Sequence, residues 1–165
     1  MKKVGDYIVY KKDVVKVVGI RENSLNHQMY YTLVPVNDDS LKIDVPVDNP
    51  LGNIRELITK KEITELIKKI PSIEVIENSN KLIENDYKEL LKEGSFESLI
   101  KIIKTTYLRN KERMDNKKKK GDKDDYYFNL AEKYLYTEIA VVLGMSFDEA
   151  RDYIIAKVAK ESKKL

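Results

Sequence analysis

The residues best suited to chemistry in this 165-residue chain are cations, and they are concentrated. Positions 101–123 hold 10 basic and 3 acidic side chains, a net of +7. The other stretches are balanced or acidic: 8 basic and 8 acidic over 1–58, 7 and 9 over 59–100, 6 and 8 over 124–165. One segment therefore carries the whole excess of a chain whose net charge is +3. Such asymmetry points to a polyanionic partner. Lys101, Lys104, Arg109, Lys111 and Arg113 fall on a predicted helix, and Lys117, Lys118, Lys119, Lys120 and Lys123 on the predicted loop after it. Two readings are open. The run is a solvated face with a solubilising loop, or it neutralises phosphates. In the second case, roughly five contacts give a log–log salt slope of about −4 to −5. Tyr126, Tyr127, Tyr134 and Tyr136 lie close by and are the residue type that stacks on bases. Helical spacing instead puts Tyr127 and Tyr134 beside the core stripe, with the other two partly exposed.

Other chemistries are excluded by composition. The chain has no cysteine, which removes disulfides, thiolate metal sites and a thiol nucleophile, and which suits a reducing compartment. The single His27 leaves no histidine metal cluster and reads as a polar loop residue. Asp38-Asp39, Asp124-Asp125 and Asp148-Glu149 sit in turns or first helical turns, where turn hydrogen bonds or the helix dipole favour acids. No Ser/His/Asp set, glycine-rich phosphate loop or metal-ligand spacing occurs. A non-enzyme without metal or cofactor is the expectation. No apolar run approaches the roughly 18 residues of a membrane span.

The elements that must position these side chains change character near residue 58. Tyr7–Tyr10 and Val14–Val18 are dense in β-branched and aromatic residues, which pack well on a pleated surface. The spacer Lys11-Lys12-Asp13 has hairpin length. A β unit is thus expected from the N-terminus, with no signal peptide before it. Arg21 to His27 is polar turn material. Gln28 to Val36 reads as a third strand, with Pro35 near its end. Leu41 to Val45 alternates as a half-buried strand does, and Pro46 argues for a sheet edge. Four or five short strands over 1–58 predict a small, strongly curved sheet or SH3-like barrel.

From Thr59 the period becomes helical, with a capping-box spacing at Thr59-Lys60-Lys61-Glu62 and a stripe of Ile63, Leu66, Ile67 and Ile70 ended by Pro71. Further helices are predicted from Ser79 to Glu93, closed by Gly94; from Phe96 to about Asn116, with a stripe including Leu99, Ile103 and Tyr107; from Asp124 to Leu143, burying Phe128, Ala131, Leu135, Ile139 and Val142; and from Ser146 to about Lys163. The fold class is α+β in two domains: a β domain over 1–58 and a bundle of about five helices over 59–165.

An ordered set of motifs runs through both halves. Val4-Gly5-Asp6, Val9-Tyr10, Lys16-Val17-Val18-Gly19-Ile20, Val45-Pro46-Val47-Asp48 and Gly52-Asn53-Ile54-Arg55 occur in that order. Later come Leu90-Leu91-Lys92-Glu93-Gly94, the stretch Ala131 to Ala140, and Ser146-Phe147-Asp148-Glu149-Ala150-Arg151. This set resembles the CarD/CdnL family of bacterial transcription regulators, whose N-terminal module is shared with the transcription-repair coupling factor. The resemblance implies a non-enzymatic cytoplasmic, nucleoid-associated monomer with two partners. A Tudor-like domain would dock on the RNA polymerase β subunit through Arg21, Tyr30, Lys42, Ile43, Asp44, Val45 and Pro46. The helical domain would touch promoter DNA at the upstream edge of the melted bubble, changing open-complex lifetime. The DNA side would comprise Asn80 and Lys81 at the start of the second helix, with Lys101, Lys104, Lys111, Arg113, Lys117 to Lys120 and Lys123. The chain departs from the pattern where some relatives have a wedging tryptophan, here Asn80, and where some have arginine, here Asp44; near Asp13 the usual glycine is also replaced.

Two other function classes remain. The tract Ile139 to Phe147 has helix-turn-helix looks, with Gly144 in the turn, which would make a polymerase-independent DNA-binding regulator. Against it, Asp148, Glu149 and Asp152 would face phosphates. The third class is a protein-interaction module with a helical spacer.

Overall fold

The computed structural model describes residues 1–164, which divide into two compact units, 1–57 and 58–164. The first is a five-stranded antiparallel sheet of β1 (Tyr7–Tyr10), β2 (Asp13–Glu22), β3 (Met29–Pro35), β4 (Ile43–Pro46) and β5 (Ile54–Arg55), in the order β4-β3-β2-β1-β5. The second holds five helices among the described residues: α1 (Lys60–Lys69), α2 (Ile83–Glu93), α3 (Phe96–Asp115), α4 (Asp122–Leu143) and α5 (Phe147–Lys163). The fold is α+β, with the β domain first.

Alternation builds the sheet core from Ile8, Val15, Val17, Tyr31, Leu33 and Val45. The hairpin between β1 and β2 is tighter than the sequence suggests: Asp13 pairs with Tyr10, so only Lys11 and Lys12 turn, with Lys11 at φ +57°. Strand β2 also runs four residues past Val18 and takes in Arg21. It does so by means of a bulge. Val17 faces Leu33 but Gly19 faces Thr32, leaving Val18 unpaired. That extra residue reverses the alternation, so Ile20 packs on the core and Arg21 stands on the exposed face.

Strand β4 lies at the sheet edge, as Pro46 implies. The Val47 N–H bonds the Met29 carbonyl, and the register pairs Tyr31 with Val45 and Leu33 with Ile43. Antiparallel alternation then turns the backbone groups of Asp44 and Pro46 away from β3. Pro46 has no N–H, and its carbonyl accepts from the Asn49 N–H at 3.3 Å. Within β4 the free edge thus reduces to one N–H and one carbonyl, both of Asp44.

In the helical unit, both predicted capping boxes form, at Thr59–Glu62 and Ser146–Glu149. Helix α4 is the centre of the bundle: residues Leu135 to Ala140 are all buried, so it is covered on every side over that span. Two sequence expectations fail here. Tyr136 is buried and stacks edge-on against Phe147 at 5.8 Å between ring centres, and burial pushes its hydroxyl up to about 12. Tyr107 is exposed, and the buried face of α3 runs instead through Leu99, Ile100, Ile102, Thr105, Thr106 and Asn110. Helix α2 begins at Ile83, which leaves Asn80 and Lys81 in the turn before it. No helix among the described residues is long and apolar enough to cross a membrane.

Candidate nucleic-acid interface

Helices α3 and α4 form an antiparallel hairpin whose turn brings Arg109 and Arg113, one helical turn apart, against the first turn of α4. There Asp124 is 1% exposed. Its carboxylate accepts from the Tyr87 hydroxyl at 2.7 Å, Arg109 Nε at 2.9 Å and Arg113 Nη1 at 2.6 Å. Burial alone would push this carboxyl up. The bonds from Tyr87, Arg113 and Arg109 outweigh burial and hold it below the ordinary carboxylate range. Burial, together with the bond to Asp124, pushes the Tyr87 hydroxyl up, so it stays a donor.

Asn110 completes the clasp. Its Oδ1 accepts from Arg113 Nη1 at 2.7 Å and from the Gly121 N–H at 2.9 Å, while its Nδ2 donates to Asp125 Oδ1 at 3.1 Å. It satisfies the N–H of Gly121, the residue that starts α4 and has no side chain with which to cap it. Gly121 leaves room for the Arg113 guanidinium, which a side chain here would displace. A Cβ there would lie 2.6 Å from Arg113 Nη1 and 2.8 Å from its Cζ, although the backbone (φ −76°, ψ 131°) suits any residue. The fourth element joins through Asn80, whose Oδ1 accepts from Arg109 Nη2 at 2.6 Å.

In front of this clasp is a cleft of about 370 Å³ lined by Asn80, Arg109, Glu112, Arg113, Asn116, Lys118 and Lys119. Four cations meet one carboxylate on its walls. No protein acceptor among the described residues reaches Arg109 Nη1, Arg113 Nη2, or the ammonium groups of Lys118 and Lys119. The guanidinium groups are thus oriented by Asp124 and still carry spare donors, an arrangement suited to phosphate oxygens.

The remaining basic residues separate into different environments. Lys104 drops out of a phosphate surface: its ammonium donates to the carbonyls of Ile70 and Ile73, closing the C-terminal end of α1, and burial lowers its pKa. Lys101 borders a groove that also holds Glu74, Glu93 and Glu97. Lys123 sits in α4 rather than in the loop and pairs with Glu84 at 3.0 Å, the contact that chiefly lowers the Glu84 carboxyl. Lys111 and Lys120 edge a smaller, more apolar cavity of about 250 Å³ with Tyr107, Met114 and Phe128. Lys81 and Lys117 are exposed. At the start of α5, Arg151 is engaged with Asp148 at 3.3 Å and Asp152 at 3.9 Å, so the helix-turn-helix-like tail offers carboxylates where a DNA-reading helix needs cations.

On the β domain, Arg21 and Asp44 are joined to each other, Nη2 to Oδ2 at 2.6 Å, and Asp44 Oδ1 accepts from the Thr32 hydroxyl at 2.7 Å. Tyr30 is half-buried, Lys42 exposed and Pro46 half-buried at the edge. Val45 faces the sheet core at 5% exposure and Ile43 packs partly against it, so neither side chain belongs to an outer docking face. No metal-binding cluster of His, Cys, Asp or Glu occurs among the described residues. No family model matches the chain, and no curated protein matches it significantly.

The sequence reading found the cations of this cleft but missed Tyr87, Asn110, Gly121 and Asp124. The only local signal was the Asp124-Asp125 pair, which by itself reads as helix-dipole acids.

Proposed function

We propose that the protein is a transcription regulator that bridges RNA polymerase and promoter DNA. The β domain is the polymerase contact, the helical domain touches DNA at the upstream edge of the bubble, and the outcome is a changed open-complex lifetime. The reading rests on the resemblance to the CarD/CdnL family, and one observation carries it further. Asn80, the residue at the family's DNA-wedge position, bonds Arg109 and lines the same cleft as Arg113, Lys118 and Lys119. Two features far apart in sequence and assigned independently to the DNA side thus share one site. Asn80 supplies no flat apolar surface for a wedge between base steps. Its contribution is polar, and the helical domain grips the backbone rather than unstacking a base.

On the β domain, the Arg21–Asp44 pair and Thr32 offer a polar face beside the β4 edge. The protein shifts promoter opening only as far as it binds the open complex better than the closed one. The deciding experiment measures capture of the polymerase β lobe by the purified protein, alongside open-complex lifetime. Micromolar capture and an altered lifetime are expected; no capture at that concentration, with an unchanged lifetime, rejects the reading.

A further inference from the structure

We propose that the cleft between Arg109, Arg113, Lys118 and Lys119 is a phosphate-binding site that grips the DNA backbone through a fork of two guanidinium groups, with Asp124 and Gly121 as its positioning residues. The inference rests on the reading that the helical domain contacts DNA, and it names how. A free arginine on a surface loses rotamer freedom when it binds a phosphate. Here that ordering is already done by the protein. Asp124 holds Arg109 through Nε and Arg113 through Nη1, and Asn80 and Asn110 take one further donor from each. Each guanidinium has five N–H donors, so bonds remain for a ligand.

The shared carboxylate also lets two arginines stand side by side, because its charge offsets their mutual repulsion. Lys118 and Lys119 add diffuse attraction from the loop. Glu112 on the rim works against any anion; the four cations outnumber it. Gly121 leaves the space in which the Arg113 guanidinium lies, since a methyl group there would overlap Nη1 and Cζ.

The test uses the full chain, a short labelled DNA duplex, and anisotropy titrations across a range of salt. Arg109→Gln and Arg113→Gln should each weaken binding by about tenfold and shrink the log–log salt slope by about one. Gly121→Ala removes no charge and fits the backbone, yet it should reduce the slope by a similar amount, because it displaces the Arg113 guanidinium. Lys61→Gln, on the exposed side of α1, should leave the slope unchanged, and circular dichroism should show every variant helical. Pyrophosphate should compete with the duplex on wild-type protein and compete more weakly on Gly121→Ala.

Wild-type slopes for Gly121→Ala and both arginine variants would overturn the site. Tight binding of a nucleoside triphosphate with no duplex binding would overturn the assignment to DNA backbone. Duplex binding of the expected kind by a protein that leaves polymerase unaffected would uphold the cleft and reject the bridging function.

Discussion

Asp124 is a single acid shared by two bases and a phenol, and its chemistry sets an acid limit on the helical domain. Its folded pKa lies below its unfolded one. The stability it contributes is therefore fully present above the ordinary aspartate value and disappears as pH falls through the folded value. Unfolding midpoints measured in denaturant should accordingly drop as pH falls below the ordinary aspartate range, and this part of the drop should be missing in Asp124→Ala. At neutral pH that substitution strands two guanidinium groups against the α3–α4 turn and should cost about 3–5 kcal/mol. None of this is visible in the sequence, because the partners of Asp124 lie 11, 15 and 37 positions away. Lys104 fails for the same reason. It looks like its neighbours on α3, and only the meeting of α3 with the end of α1 reveals that its ammonium caps a helix. Charge is local and legible, whereas commitment of charge depends on who stands opposite.

Elements were more legible than contacts, since their signals are short-ranged. Both capping boxes, the closing glycines Gly94 and Gly144, and the proline-marked edge strand follow from residues within a few positions of each other. The bulge at Val18 was not legible, because it is a mismatch between two strands and has no signature in one. Its effect is large. By inserting one residue, it carries Arg21 from the core face to the outer face, where Asp44 meets it. Deleting Val18 should heal the bulge and leave a regular β2–β3 ladder in which Gly19, Ile20 and Arg21 keep Thr32, Tyr31 and Tyr30 as partners. The expected outcome is a β domain that stays folded with Arg21 on its outer face, and hydrogen exchange read by mass spectrometry checks it through continued protection of the β2 and β3 amides.

At the scale of the whole molecule, the proposed bridging function makes a specific demand: a protein contact and a DNA contact on one chain would act as a bivalent ligand. Once one end is bound, the other searches a small volume, and a modest patch then suffices. Replacing Lys117 to Lys120 by alanine should therefore shorten open complexes more at low salt than at high salt, with the salt slope reduced. Capture of the β lobe by the variant should be unchanged. Open-complex lifetimes across a salt series measure both effects, and an unaltered slope would favour the spacer-module reading. Charge distribution also bears on the tail. The excess of cations resides in 101–123, and the segment 124–165 carries 8 acidic against 6 basic residues, which suits α5 to closing the bundle and not to reading a groove.

The β4 edge has a consequence for crowding. A protein in a concentrated solution meets copies of itself continually, and sheet edges are where such encounters become permanent. Growth of a shared sheet needs an unbroken row of donors and acceptors on both sides. This edge can exchange two backbone bonds at most, through Asp44, and Pro46, the next residue whose backbone faces outward, has no proton to give. A second copy brings the same shortage. Concentration alone therefore gives this edge no route to extension, and any strand that does settle there must be chosen by its side chains.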